Sequence, residues 1–97
     1  MPPVSRAPVD VCTGHGCFPP RNTASGSPNV ITNGYQTMRI GDPYQPHGCP
    51  PSPPHGGVAA GGSGTVLVNN RGVHRIGDAV SCGSSSATGS GNVIAGG

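Results

Sequence analysis

The chain has 97 residues, 32% of them hydrophobic and three of them aromatic, with five arginines, no lysine, three aspartates and no glutamate, for a formal net charge of +2. That is too little apolar content for an ordinary buried core, and too weak and scattered a charge for a nucleic-acid footprint. No apolar run reaches the length of a signal-peptide core or a membrane span, so neither a secretion leader nor a transmembrane helix is expected.

Eighteen glycines and twelve prolines lack a glycine at every third position, which excludes a collagen-like chain. The glycines fall beside short Val/Ile runs and read as turn punctuation within one domain spanning residues 1–97.

In chain order, an extended stretch from Val4 to Val9 precedes Asp10, and the segment His15-Gly16-Cys17-Phe18-Pro19-Pro20 follows. Residues 29–42, NVITNGYQTMRIGD, align without a gap with residues 65–78, TVLVNNRGVHRIGD. Val30/Val66, Asn33/Asn69, Arg39/Arg75, Ile40/Ile76, Gly41/Gly77 and Asp42/Asp78 are identical. Each copy reads as a β-hairpin: a β-branched run meets Asn-Gly or Asn-Asn, pairs that accept positive φ, and an extended run returns. Gly26-Ser27 precedes the first copy and Gly62-Ser63 the second; a third start, Gly89-Ser90-Gly91-Asn92-Val93-Ile94, stops at the C-terminus. The missing returning strand is available at the other end, so the N-terminal strand is expected to pair with the C-terminal one. The expectation is an all-β, pseudo-threefold arrangement of hairpins closed by its own termini.

In the stretch from Arg39 to Gly57, the Ile-Gly-Asp end of the first copy leads into a proline-crowded loop carrying His47, Cys49 and His55. His15 lies five residues after Asp10, His47 five after Asp42, and Cys82 four after Asp78. Three equivalent loops would thus present His, His and Cys around one axis. A tetrahedral ion such as Zn²⁺ takes four N or S donors, and His55, in an insertion unique to the second repeat, supplies the fourth. The metal set is therefore His15, His47, His55 and Cys82. Cys12, Cys17 or Cys49 are alternative sulfur donors, and Cys17 with Cys49 are alternatively a disulfide. His74 occupies the Met38 position of its repeat and reads as a surface or packing residue. Arg39 and Arg75 are expected to pair locally with Asp42 and Asp78; Tyr35 and Tyr44 carry no inference.

A closed four-donor site reads as structural, and no HExxH pair or phosphate loop suggests catalysis. The competing readings are a small zinc hydrolase with a misassigned ligand, and a disulfide-stapled extracellular binding module.

With the three Gly-Ser starts, the two Arg-Ile-Gly-Asp ends, the Gly14-to-Arg21 segment and the Gly77-Asp78…Cys82-Gly83 close, the chain resembles the PAAR-repeat family over nearly its whole length. The namesake Pro-Ala-Ala-Arg stretch is Gln36-Thr37-Met38-Arg39 and Gly72-Val73-His74-Arg75, keeping only the arginine. The resemblance implies a small PAAR-like cone of hairpins with a zinc-pinned apex. It also implies one structural zinc, with iron as the alternative, on His15, His47, His55 and Cys82. One copy would cap a trimeric β-helix spike protein through its base, at the tip of a contractile phage tail in the virion or of a type VI secretion apparatus. Contact with the target envelope would be transient, with no enzymatic activity and no nucleic acid.

Overall fold

The computed structural model describes residues 2–50 and 52–96. Seven short strands run in chain order: β1 Arg6–Ala7, β2 Ile31–Thr32, β3 Tyr35–Thr37, β4 Pro43–Cys49, β5 Ser52–Val58, β6 Leu67–Val68 and β7 Arg71–Gly72. All pairing is antiparallel, in sheets β1-β3-β2, β4-β5 and β6-β7, and no helix occurs among the described residues. The two repeat hairpins turn where the sequence places their asparagines. Asn33 and Gly34 have φ of 54° and 82°, and Asn69 and Asn70 have 53° and 64°. Positive φ at both central residues is the twist-matched hairpin turn that asparagine and glycine accept at low steric cost.

The termini complete the third unit. Pro3 bridges Ile94, Val4 N–H donates to Val93 O at 2.9 Å, and Ala95 N–H donates to Pro2 O at 3.1 Å. Each returning strand then meets the next: Arg6 pairs with Thr37, Arg39 bridges Val73, and Arg75 bridges Val4. The ring closes at three equivalent positions. Met38 N–H donates to Ser5 O at 3.0 Å, His74 N–H to Met38 O at 3.0 Å, and Ser5 N–H to His74 O at 2.9 Å. All three residues are fully buried. A cyclic hydrogen-bond ring of this kind satisfies the backbone at the pseudo-threefold axis without a sheet spanning the molecule.

The Gly-Ser starts have a specific structural reason. Ser27, Ser63 and Ser90 donate their N–H to the returning-strand carbonyls of Thr37, Val73 and Val4 at 2.8, 2.9 and 2.8 Å. A Cβ on the preceding Gly26, Gly62 or Gly89 would lie 2.6, 2.8 or 2.9 Å from those same oxygens. Glycine is required there for close backbone approach. Each serine Oγ also accepts the N–H groups two and three residues on, as in Val66 N–H to Ser63 Oγ at 2.8 Å. Ser27 Oγ donates to Asn69 Oδ1 at 2.6 Å, Ser90 Oγ to Asn33 Oδ1, and Ser63 Oγ to Gly96 O. Every hairpin turn is thereby tied to a neighbouring repeat.

Three Arg–Asp pairs recur, one in each unit. Each aspartate accepts the backbone N–H and the Nε–H of its arginine: Asp10 from Arg6, Asp42 from Arg39 and Asp78 from Arg75, at 2.8–2.9 Å. The hydrogen bond to the aspartate raises the pKa of each arginine. These are bidentate, largely buried pairs, whose loss costs far more than that of an exposed pair. The local pairing expected of Arg39 and Arg75 is present; Arg6, spaced one residue further from its aspartate, is the third member that the alignment missed.

Apolar packing is correspondingly small, with one cluster of Ala7, Cys12, Met38, Tyr44, Ala59 and Val80 and another of Val4, Val68, Val73 and Ala95. The principal extents are 39 × 23 × 22 Å, one long axis and two short ones within 1 Å of each other. The proline-crowded stretch differs from the expected loop. It forms the two longest strands, β4 and β5, seven residues each. The base of this ribbon is paired on its outer edges, Gln45 N–H donating to Asn22 O at 2.8 Å and Ser81 N–H to Val58 O at 2.9 Å. Pro46, Pro53 and Pro54 lie beyond those bonds, where a proline without an N–H costs no ladder bond on an outer edge. Register shifts on either side of His47 accommodate the rest.

Candidate metal centre

Three segments bring four donor side chains together. His15 stands in a tight turn closed by His15 N–H to Phe18 O at 3.0 Å and Phe18 N–H to His15 O at 2.8 Å. Gly14 makes that turn possible: its φ is 75°, and a Cβ there would lie 2.5 Å from Phe18 O. His47 on β4 pairs directly with His55 on β5. Cys82 sits on the turn between Val80 and Ser84, anchored by Val80 N–H to Ser84 O at 2.9 Å and Ser81 N–H to Val58 O at 2.9 Å.

The donor atoms of His15, His47, His55 and Cys82 all lie within 4.8 Å of one another, so the group can hold a metal ion. The Nε2 atoms are 2.9 Å apart for His15–His55 and His47–His55, and 3.2 Å for His15–His47. Cys82 Sγ is 3.9 Å from His47 Nε2. A tetrahedron with metal–nitrogen bonds of about 2.0–2.1 Å has N···N edges of about 3.3 Å, close to these separations. Protonation chemistry points the same way. His47 donates its Nδ1–H to Pro19 O at 2.8 Å, which leaves the Nε2 lone pair facing the other imidazoles. Three ring nitrogens this close, at least one with its lone pair turned inward, form an arrangement that a cation between them would stabilise. Desolvation and the neighbouring His47 and His15 imidazoles lower the pKa of His55. The ring of Phe18 covers the three histidines, at centroid distances of 4.9, 5.2 and 4.4 Å from His15, His47 and His55.

The remaining candidates are placed elsewhere. Cys17 and Cys49 form a disulfide with a Cα–Cα distance of 5.7 Å. Cys12 is a buried core residue whose sulfur accepts Arg21 N–H at 3.3 Å. His74 is on the axis, not the surface: its Nδ1–H donates to Gly61 O at 2.8 Å, and its Nε2 accepts the Tyr44 hydroxyl at 2.7 Å. Burial lowers the pKa of His74 and pushes that of Tyr44 up to about 12, so both are neutral partners at physiological pH.

Sequence reasoning had no signal for Phe18 as a cover or for Gly57. A Cβ at Gly57 would meet Val80 Cγ1 at 2.9 Å and Cys82 Sγ at 3.0 Å. Gly57→Ala is therefore expected to push the thiolate out of the cluster while leaving the histidines in place. In cobalt-substituted protein the thiolate-to-metal charge-transfer band should disappear and the ligand-field bands should persist; an unchanged charge-transfer band would show that the thiolate is not positioned by Gly57.

Compared with known proteins, the chain matches no protein-family model and no curated protein sequence.

Proposed function

We propose that this chain is a non-enzymatic, zinc-stapled tip that caps a trimeric β-helical spike and helps it pierce a cell envelope, as its resemblance to PAAR-repeat proteins implies. The observation that carries this reading is a threefold set of uncovered apolar pairs, Val30/Ile31, Val66/Leu67 and Val93/Ile94. Ile31, Leu67 and Ile94 are 55%, 57% and 54% exposed, an unusual degree for three large aliphatic residues at equivalent positions. A pseudo-threefold surface on one chain fits a true threefold partner at a stoichiometry of one to three, each repeat meeting one subunit.

Zinc is the metal of this proposal, with iron as the alternative. Three imidazoles and one thiolate in a tetrahedral array suit a redox-inert ion, and four protein donors leave no position for substrate. The ion's contribution is a crosslink between segments that share little apolar surface. The site of action is the central spike tip of a contractile phage tail, or of a type VI secretion apparatus.

The test mixes the chain with the trimeric spike protein of such an apparatus and weighs the complex by native mass spectrometry. One chain per trimer is expected. Ile31→Asp, Leu67→Asp and Ile94→Asp together should weaken binding more than about a hundredfold, by burying charge at a hydrophobic contact, with metal content unchanged. Undiminished binding by this variant, or three chains per trimer, would refute the proposal.

A further inference from the structure

The disulfide and the donor cluster join the same pieces of chain. Cys17 lies two residues after His15, and Cys49 two residues after His47. Their crosslink therefore ties the His15 turn to β4. β4 is in turn paired with β5 at His47 and His55, so three of the four donors are held together by covalent and backbone bonds alone. The Cys82 turn is attached to the end of β5 by Ser81 N–H to Val58 O at 2.9 Å, Val58 N–H to Ser81 Oγ at 3.0 Å and the Ala59–Val80 bridge. Two chemically different staples thus perform one task.

We infer that Cys17–Cys49 and the four-donor metal centre are interchangeable clamps on one fold, divided by redox environment. The inference deepens the metal reading of the cluster and rests on it. In a reducing compartment the disulfide is open, while a redox-inert ion on three imidazoles and the Cys82 thiolate keeps the segments joined. In an oxidising compartment the crosslink closes, so the fold no longer depends on retaining the ion. Cys17 is exposed, which gives a small-molecule disulfide access to it. The Cys17 thiolate attacks one sulfur of that disulfide and expels a thiolate. The Cys49 thiolate then attacks the Cys17 sulfur of the mixed disulfide and expels the second. The two protein thiols lose two electrons and two protons, and the small disulfide is reduced to two thiols.

The loop closed by the crosslink spans 32 residues of sequence separation, long enough to restrict the unfolded chain severely. The experiment prepares the full chain in four states, with the cysteines reduced by a thiol or oxidised by oxidised glutathione, and with zinc or a chelator. Zinc content, alkylatable thiols and thermal melting are measured on each. Three states should be folded at 25 °C and only the reduced, chelated state unfolded. Losing either clamp alone should lower Tm by about 15 °C or more. Cys17→Ser with Cys49→Ser should depend on zinc under both redox conditions.

An oxidised, chelated chain that is unfolded would overturn the inference, as would four alkylatable cysteines after oxidised-glutathione treatment. A chain that takes up no zinc in any state refutes the metal reading instead; a melting difference between its oxidised and reduced forms would then assign the clamp to the disulfide alone.

Discussion

His55→Ala is expected to cost the chain its metal, with affinity falling about a hundredfold to a thousandfold. The size follows from apparent folding-linked affinities of roughly 10–16 kcal/mol for four-donor structural zinc, shared among four ligands. His55 is the cleanest ligand to remove because it is only partly buried, while its Nε2 lies 2.9 Å from both other histidine donors. His47→Ala should lose metal equally but also destabilise the protein. It opens a hole at a 4%-exposed position and leaves Pro19 O without its donor. Metal content after dialysis against a competing chelator reads the first effect. Thermal melting of the oxidised proteins, in which the Cys17–Cys49 crosslink keeps the metal-free chain folded, separates the two variants, with His47→Ala the lower. Equal metal retention by wild type and His55→Ala would remove His55 from the donor set.

Gly72→Ala is expected to be the most damaging single-methyl change in the chain. A Cβ at Gly72 would stand 2.3 Å from Ser63 O and 3.0 Å from Ile40 Cδ1. The carbonyl cannot yield cheaply, because Ser63 is held by its N–H to Val73 O at 2.9 Å and by its Oγ to the N–H of Val66 at 2.8 Å. Overpacking against fixed backbone costs about 3 kcal/mol or more, a large part of the stability of a small domain. Gly56→Ala is the matched control, since nothing lies within 4 Å of its Cβ and its stability should change by no more than about 0.5 kcal/mol. Chemical denaturation midpoints of the two variants check this contrast, and similar midpoints would refute the close-approach account of the glycine pattern.

The hairpins were legible in the sequence because an Asn-Gly or Asn-Asn pair after a β-branched run accepts positive φ at both positions, and the gapless alignment of residues 29–42 with 65–78 removes register ambiguity between those two copies. The closing of the ring by the termini was legible from an unfinished third copy. Two features were hidden by spacing. Arg6 pairs with Asp10 four residues on, whereas Arg39 and Arg75 pair three residues on, so a gapless comparison passes over it. The β4–β5 ribbon was hidden by its prolines, whose meaning depends on whether a strand has a free edge, and edges are a property of the assembled fold. His15, His47 and Cys82 could be grouped by counting from the aspartates because each aspartate is fixed by its arginine, giving every repeat the same point of departure, and His55 was added from the insertion unique to the second repeat. The reason for Gly57 could not be found that way. It lies in a contact between Gly57 and Cys82, residues that only the folded chain brings together.

The central claim is that four side chains from three segments bind one ion that joins the repeats. X-ray absorption at the metal edge, on protein purified without added metal and quantified for metal per chain, tests it most directly. One ion per chain with a shell of three nitrogens at about 2.0–2.1 Å and one sulfur at about 2.3 Å is the expected result. A folded, reduced chain without metal would contradict the account, as would an ion whose shell contains no sulfur.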